Sequence, residues 1–150
     1  MTTEPIDPDV EVSAQNHEMN QTHGLVLAAI AMGGGLGSLA RRSLSEALPN
    51  ETFPWATFMT NVTGSFLIGI LLVLITYRFT KQKYLRPFFG VGFLGGFTTF
   101  STYTEQTVSL LNEGDVLLAI IYVVATVIAA MTAVLAGTRL ARLAVIGAKK

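Results

Sequence analysis

Four windows without a charged side chain divide this sequence, at residues 19–40, 52–77, 87–104 and 116–138. At a helical rise of about 1.5 Å per residue, each can cross a hydrocarbon core roughly 30 Å thick, the third only by running past Glu105 toward Leu111. With 51% hydrophobic and 13% charged residues and a mean hydropathy of +0.52, the chain is too apolar for a water-soluble domain of 150 residues. The expected fold is an all-α membrane protein of four transmembrane helices, with no room for a soluble domain.

The third window is unusual inside. Gly90, Gly92, Gly95 and Gly96 crowd against Thr98, Thr99, Ser101 and Thr102. In a membrane span, Gly95-Gly96 weakens the helix at mid-depth, and the hydroxyls can serve backbone groups or a solute. The third helix is therefore expected to be broken at Gly95-Gly96, and carbonyls freed by such a break can hold an ion.

Other classes are excluded by what is missing. The sequence has no cysteine, so disulfides and thiolate metal sites are ruled out, and a formal net charge of zero gives no sign of a nucleic-acid partner. His17 and His23 lie ahead of the spans without carboxylate spacing, and no pair of acids falls within a span, so no catalytic constellation is present and no enzyme is expected. The segment before the first apolar run carries Glu4, Asp7, Asp9, Glu11 and Glu18 but no Lys or Arg, unlike a cleaved signal peptide. Residues 1–23 read as an acidic disordered tail, 24–143 as the membrane domain and 144–150 as a short basic tail.

In the first span, Gly33 and Gly37 form a G-x-x-x-G face suited to close helix packing, and Arg41 and Arg42 follow at its end. These arginines either snorkel to the interface or set a positive field at the mouth of an anion path. Phe53 and Trp55 read as interfacial aromatics ahead of the second span, where Thr57, Asn61, Ser65 and Gly69 recur every four residues on one face. Asn61 has two readings, a clamp between helices or a donor of two hydrogen bonds to an anion. Beyond the break, Phe100 and Tyr103 share a face with Thr107; packing is the bland account, but a positive ring edge can also touch a small anion. In the fourth span Tyr122, Thr126, Ala130, Ala133 and Gly137 line a small, mildly polar face, with Thr132 expected to bond its own backbone.

Together these motifs resemble the Fluc, or CrcB-type, fluoride channels. The resemblance covers about 33–143 and rests on Gly33-Gly34-x-x-Gly37-Ser38-x-x-Arg41, on Thr57-Phe58-x-x-Asn61-x-x-Gly64-Ser65-Phe66-x-x-Gly69, and on Gly92-x-x-Gly95-Gly96-Phe97-Thr98-Thr99-Phe100-Ser101-Thr102. It implies passive fluoride export across a bacterial inner membrane by a dimer of antiparallel subunits with two pathways at the subunit interface. It also implies a central structural sodium ion held by the Gly95 and Thr98 carbonyls of each subunit. Carried over, Asn61, Phe100, Ser101, Thr102, Tyr103, Thr126 and Thr57 belong to the fluoride pathway, and Arg41 is a structural or electrostatic arginine.

The chain departs from the family pattern in places. Tyr103 stands where a second phenylalanine is usual, Arg42 at a usually aromatic position, Ala56 for a glycine, and Ala130 where a second hydroxyl can occur. Arg78, Lys81, Lys83, Arg86, Arg139, Arg142, Lys149 and Lys150 fall on one side of the membrane, against Arg41 and Arg42 on the other. Taken alone, that bias puts both termini in the cytoplasm. It suits a heterodimer of oppositely oriented homologues, although the homodimer is the favoured expectation. Two other functions fit a small four-span chain: a proton-coupled exporter of organic cations, which wants a buried carboxylate that only Glu105 approaches, and a non-transporting assembly subunit, which would need the glycine faces but not the polar track.

Overall fold

The computed structural model describes residues 12–48 and 52–147, and the described residues contain helices and no strand. Helix α1 spans Val12–Ala47 and α2 Trp55–Tyr77. Residues 86–97 form α3, which winds widely as a π-helix over Arg86–Leu94 and closes with the α-turn Gly95–Phe97. Helix α4 spans Ser101–Asn112 and α5 Val116–Gly147.

Among the described residues, three continuous helices are long and apolar enough to cross a membrane, over Gly24–Ala47, Trp55–Tyr77 and Val116–Val145. The third window instead holds α3 and α4, each too short to cross alone. Leu117, Ile120, Val124, Ile128, Met131 and Leu135 lie exposed along α5, an apolar exterior that suits a lipid surround.

Glycine sets the packing. A Cβ at Gly33 or Gly37 would run into the Phe88 and Phe93 carbonyls of α3, and one at Gly96 would meet the Gly34 carbonyl of α1. The G-x-x-x-G face therefore buries itself against α3, as its spacing predicts. The α2–α5 pair repeats the device: Gly69 abuts the Val134 carbonyl and Gly137 the Phe66 carbonyl. At the α4–α5 turn Gly114 takes φ 89°, while the Gly114 and Asp115 amides return to the Leu111 and Leu110 carbonyls at 3.2 and 2.9 Å. That left-handed cap favours glycine.

Several boundaries differ from expectation. Residues 12–23, assigned to an unstructured tail, belong to α1; residues 1–11 lie outside the described residues. Once the span has nucleated a helix, extension through Ala14, Gln15, Glu18 and Met19 needs only propagation by good helix formers. The basic tail expected from 144 is likewise helical through Gly147, and 148–150 lie outside the described residues.

The break in the third window also moves. Gly95 is regularly helical at φ −65°, ψ −37°, and the chain leaves the helix at Thr98, with φ −80° and ψ 157°. The non-helical residues are 98–100, so Gly95-Gly96 is not the break. Gly96 serves close approach to α1, and a side chain from α2 ends the helix.

Candidate functional site

That side chain is Asn61. Its Nδ2 donates to the Thr99 carbonyl at 2.9 Å, and its Oδ1 accepts from the Thr99 amide, also at 2.9 Å. Both main-chain groups of one residue are satisfied from α2, which lets an irregular segment exist in an apolar setting. Of the two roles open to Asn61 in the sequence, the geometry displays the clamp; one Nδ2–H remains for another acceptor.

Thr99 then braces the start of α4 from two residues ahead. Its buried Oγ1 accepts from the Thr102 amide at 3.2 Å, as an N-terminal cap, and donates to Thr102 Oγ1 at 3.1 Å. Ser101 Oγ lies 3.3 Å from the same oxygen. These bonds redirect two amides. In a continuous α-helix the amides of Thr99 and Thr102 would bond the carbonyls of Gly95 and Thr98, four residues earlier. Here they go to Asn61 and to the Thr99 hydroxyl, so the Gly95 and Thr98 carbonyls lose their regular helical donors. Thr98 itself bonds backward, its amide and hydroxyl meeting the Leu94 carbonyl at 2.9 and 2.8 Å.

Two open clefts flank the break. One, of about 410 Å³, is lined by Asn61, Gly95, Thr98, Phe100, Tyr103 and Thr126, among others. The other, of about 800 Å³, brings Arg41 and Arg42 together with Thr57, Thr60 and Thr102. Thr99 lines both. The sequence-predicted residues thus divide into two groups about one buried threonine, and Ser101 lines neither cleft.

The individual side chains differ in readiness. Phe100 is 79% exposed, an apolar ring touched by only one other ring among the described residues. Tyr103 leans on Phe100 at 5.8 Å and on Tyr122 at 5.2 Å between ring centroids. Thr126 is buried and gives its proton to the Tyr122 carbonyl at 2.7 Å, so it reaches the cleft as an acceptor unless that bond is exchanged. Thr102 Oγ1 accepts from Thr99, and its own proton has no acceptor among the described residues. Thr132 bonds the Ile128 and Ala129 carbonyls at 2.9 Å, as expected, and Thr107 bonds the Tyr103 carbonyl. Arg42 pairs with Glu46 at 2.8 Å on an exposed face, where such pairs contribute little. Arg41 is half-buried at the edge of the second cleft.

Two residues named in the sequence carry more than was expected of them. Thr99, read as one of four hydroxyls able to serve backbone groups, is the hub of the site; its place just ahead of a helix start is the signal that could have set it apart from the other three. Tyr122 is fully buried, donates to Gln106 Oε1 at 3.0 Å and packs edge-on against Phe53 at 5.4 Å. Phe53 is thus a wedge against α5 as well as an aromatic beside Trp55. Gln106 carried no signal beyond polarity.

A family model described as CrcB-like protein, Camphor Resistance (CrcB), matches residues 28–138. A protein of Nocardia farcinica called fluoride-specific ion channel FluC 2 is 50% identical over 127 residues, covering 83% of this chain and 91% of its own. A FluC of Pyrococcus abyssi is 45% identical over 114 residues, covering 75% and 93% respectively. A Streptomyces avermitilis FluC 2 is 41% identical over 124 residues, covering 80% and 78%.

Proposed function

Because the chain belongs to the CrcB-like family, we propose that it is a fluoride-selective ion channel that lets fluoride leave the cytoplasm down its electrochemical gradient. It is a multi-pass membrane transport protein, not an enzyme. The observation that carries the reading is the broken third window, held open by the Asn61–Thr99 pair and flanked by clefts lined with hydroxyls, aromatic rings and an arginine. Fluoride is small and strongly hydrated, so a path for it must replace water with several donors without trapping the ion. The spare Nδ2–H of Asn61, the free Thr102 hydroxyl and the ring edges of Phe100 and Tyr103 supply weak donors in series, with Ser101, Thr57 and Thr126 beside them. Arg41 raises the local anion concentration at the second cleft.

In this reading α3 and α4 together make a fourth crossing, and two subunits of opposite orientation complete the paths. The clefts are open and Phe100 is largely exposed in one subunit, which suits half-sites that a second copy closes. The homodimer remains the favoured assembly, in a bacterial inner membrane. A sodium ion fits the break: a hard cation wants oxygen ligands, and the Gly95 and Thr98 carbonyls are among those deprived of helical donors. Gly95 is exposed, lines the first cleft and has open space where a side chain would be. When bound, the ion would tie the two breaks together and add a fixed positive charge between the pathways.

Proton-coupled cation export is not favoured. Glu105, its one candidate carboxylate, is exposed on α4 and lines neither cleft. Fluoride efflux from liposomes, followed with a fluoride electrode beside chloride-loaded vesicles, tests the proposal. Rapid loss of fluoride without chloride supports it, and no fluoride loss from well-folded protein overturns the homomeric channel.

A further inference from the structure

A third cleft lies away from the break. It holds about 420 Å³ between the start of the α1 span and the connection into α3, with Leu25, Ala29 and Met32 on one wall and Leu85, Phe88 and Phe89 on the other. Its lining is almost wholly apolar, and Leu25 and Met32 are each 60% exposed. Gln82 and Tyr84 line it from the connection.

That connection is basic. Arg78, Lys81, Lys83 and Arg86 fall within nine residues and are all exposed, and there is no Asp or Glu between residues 78 and 104. The sole ion pair among the described residues is Arg42–Glu46, so none of the four cations is neutralised by a neighbour there. Lys81 and Lys83 flank Gln82 in the chain, and Arg86 follows Leu85. The residues that line the apolar groove from the connection thus alternate along the chain with exposed cations that have no ion-pair partner among the described residues. The match is an amphiphile with a long hydrocarbon chain and an anionic head.

We propose that this groove is a seat for an anionic phospholipid, one acyl chain lying between α1 and α3 and the phosphate on the Lys81–Lys83 rim. A phosphatidylglycerol-type head, with one net negative charge, fits the rim; the choline of a zwitterionic lipid would set a cation among cations. The seat gives the one-sided Lys/Arg excess a binding role in addition to any role in orientation. Because the probe reads lipid rather than flux, its outcome is separate from that of the channel proposal.

The test uses full-length Trp55→Phe/Tyr84→Trp in vesicles, where the introduced indole lines the groove and brominated acyl chains quench it. Vesicles of brominated phosphatidylglycerol diluted into phosphatidylcholine are compared with brominated phosphatidylcholine diluted into phosphatidylglycerol. Stronger quenching in the first set is expected, and Lys81→Gln/Lys83→Gln should erase the difference, at roughly fivefold per charge in lipid preference. Arg139→Gln/Arg142→Gln removes as much charge from α5 and should leave it intact. Equal quenching in both sets overturns the proposal in favour of bulk lipid. Weak quenching in both, with efficient crosslinking of cysteines introduced at position 84, overturns it in favour of a second copy covering the groove. Phe89→Trp probes the same groove if the Tyr84 variant does not fold.

Discussion

Asn61 and Thr99 are joined by two hydrogen bonds of 2.9 Å, so a residue 38 positions earlier satisfies both main-chain groups at the centre of a helix break. Removing one half of this pair leaves a polar main-chain group without a partner in an apolar place. Asn61→Leu should lower stability by about 1–3 kcal/mol, read as a lower thermal transition of the purified protein in detergent. Asn61→Asp keeps an acceptor for the Thr99 amide but sets a carboxylate against the Thr99 carbonyl and into the cleft. Fluoride efflux from liposomes should then fall by roughly a hundredfold or more, and undiminished efflux would remove Asn61 from the pathway.

The glycine contacts make a paired prediction about packing. Gly96→Ala should destabilise the fold by about 1–3 kcal/mol through overpacking, because its Cβ would meet the Gly34 carbonyl. Gly35→Ala, with nothing within 4 Å, should not lower the melting temperature. Equal melting temperatures for both variants would mean that the α1–α3 contact is looser than described.

Phe100 offers a cleaner test of the ring-edge role, since its exposure means that shortening it opens no cavity within the subunit. Phe100→Ile keeps an apolar side chain but loses the positive edge. Efflux should drop at least tenfold while the protein stays monodisperse on gel filtration. Efflux at the parent level would assign the ring to packing between subunits.

The proposed ion has its own readout. Prolonged exchange into N-methylglucamine buffer should reduce fluoride efflux, and sodium should restore it where potassium does not, the site being framed by a small set of carbonyls. Efflux indifferent to sodium would separate the break from any cation.

Orientation can be read from a cysteine introduced at Lys150 and labelled from each side of intact cells. Labelling from both sides is expected for an antiparallel homodimer. Labelling from one side only would make the Lys/Arg excess decisive and require a partner of opposite orientation.

Much of this protein is written in one dimension. Charge-free windows of sufficient length dictate membrane helices, because an unpaired charge or an open backbone in hydrocarbon is too costly to be common. Gly33, Gly37, Gly69 and Gly137 mark close helix approach, because four-residue spacing puts small residues on one face whatever the partner. The family motifs in the second and third windows were equally legible. The site's details were not. Spacing put Asn61 on a polar face but could not say that its partner would be Thr99, nor that Gly96 would press on α1 while the helix ended at Thr98. A glycine pair looks like a break in sequence because glycine is flexible, yet here glycine permits contact and a distant carboxamide makes the break. Hydrogen-bond partners must lie within about 3 Å, and only the tertiary packing of α2 against the α3–α4 segment brings residues 61 and 99 that close. The sequence determined where the polar groups stand along each helix; the fold decided which are satisfied and which remain free to meet an ion.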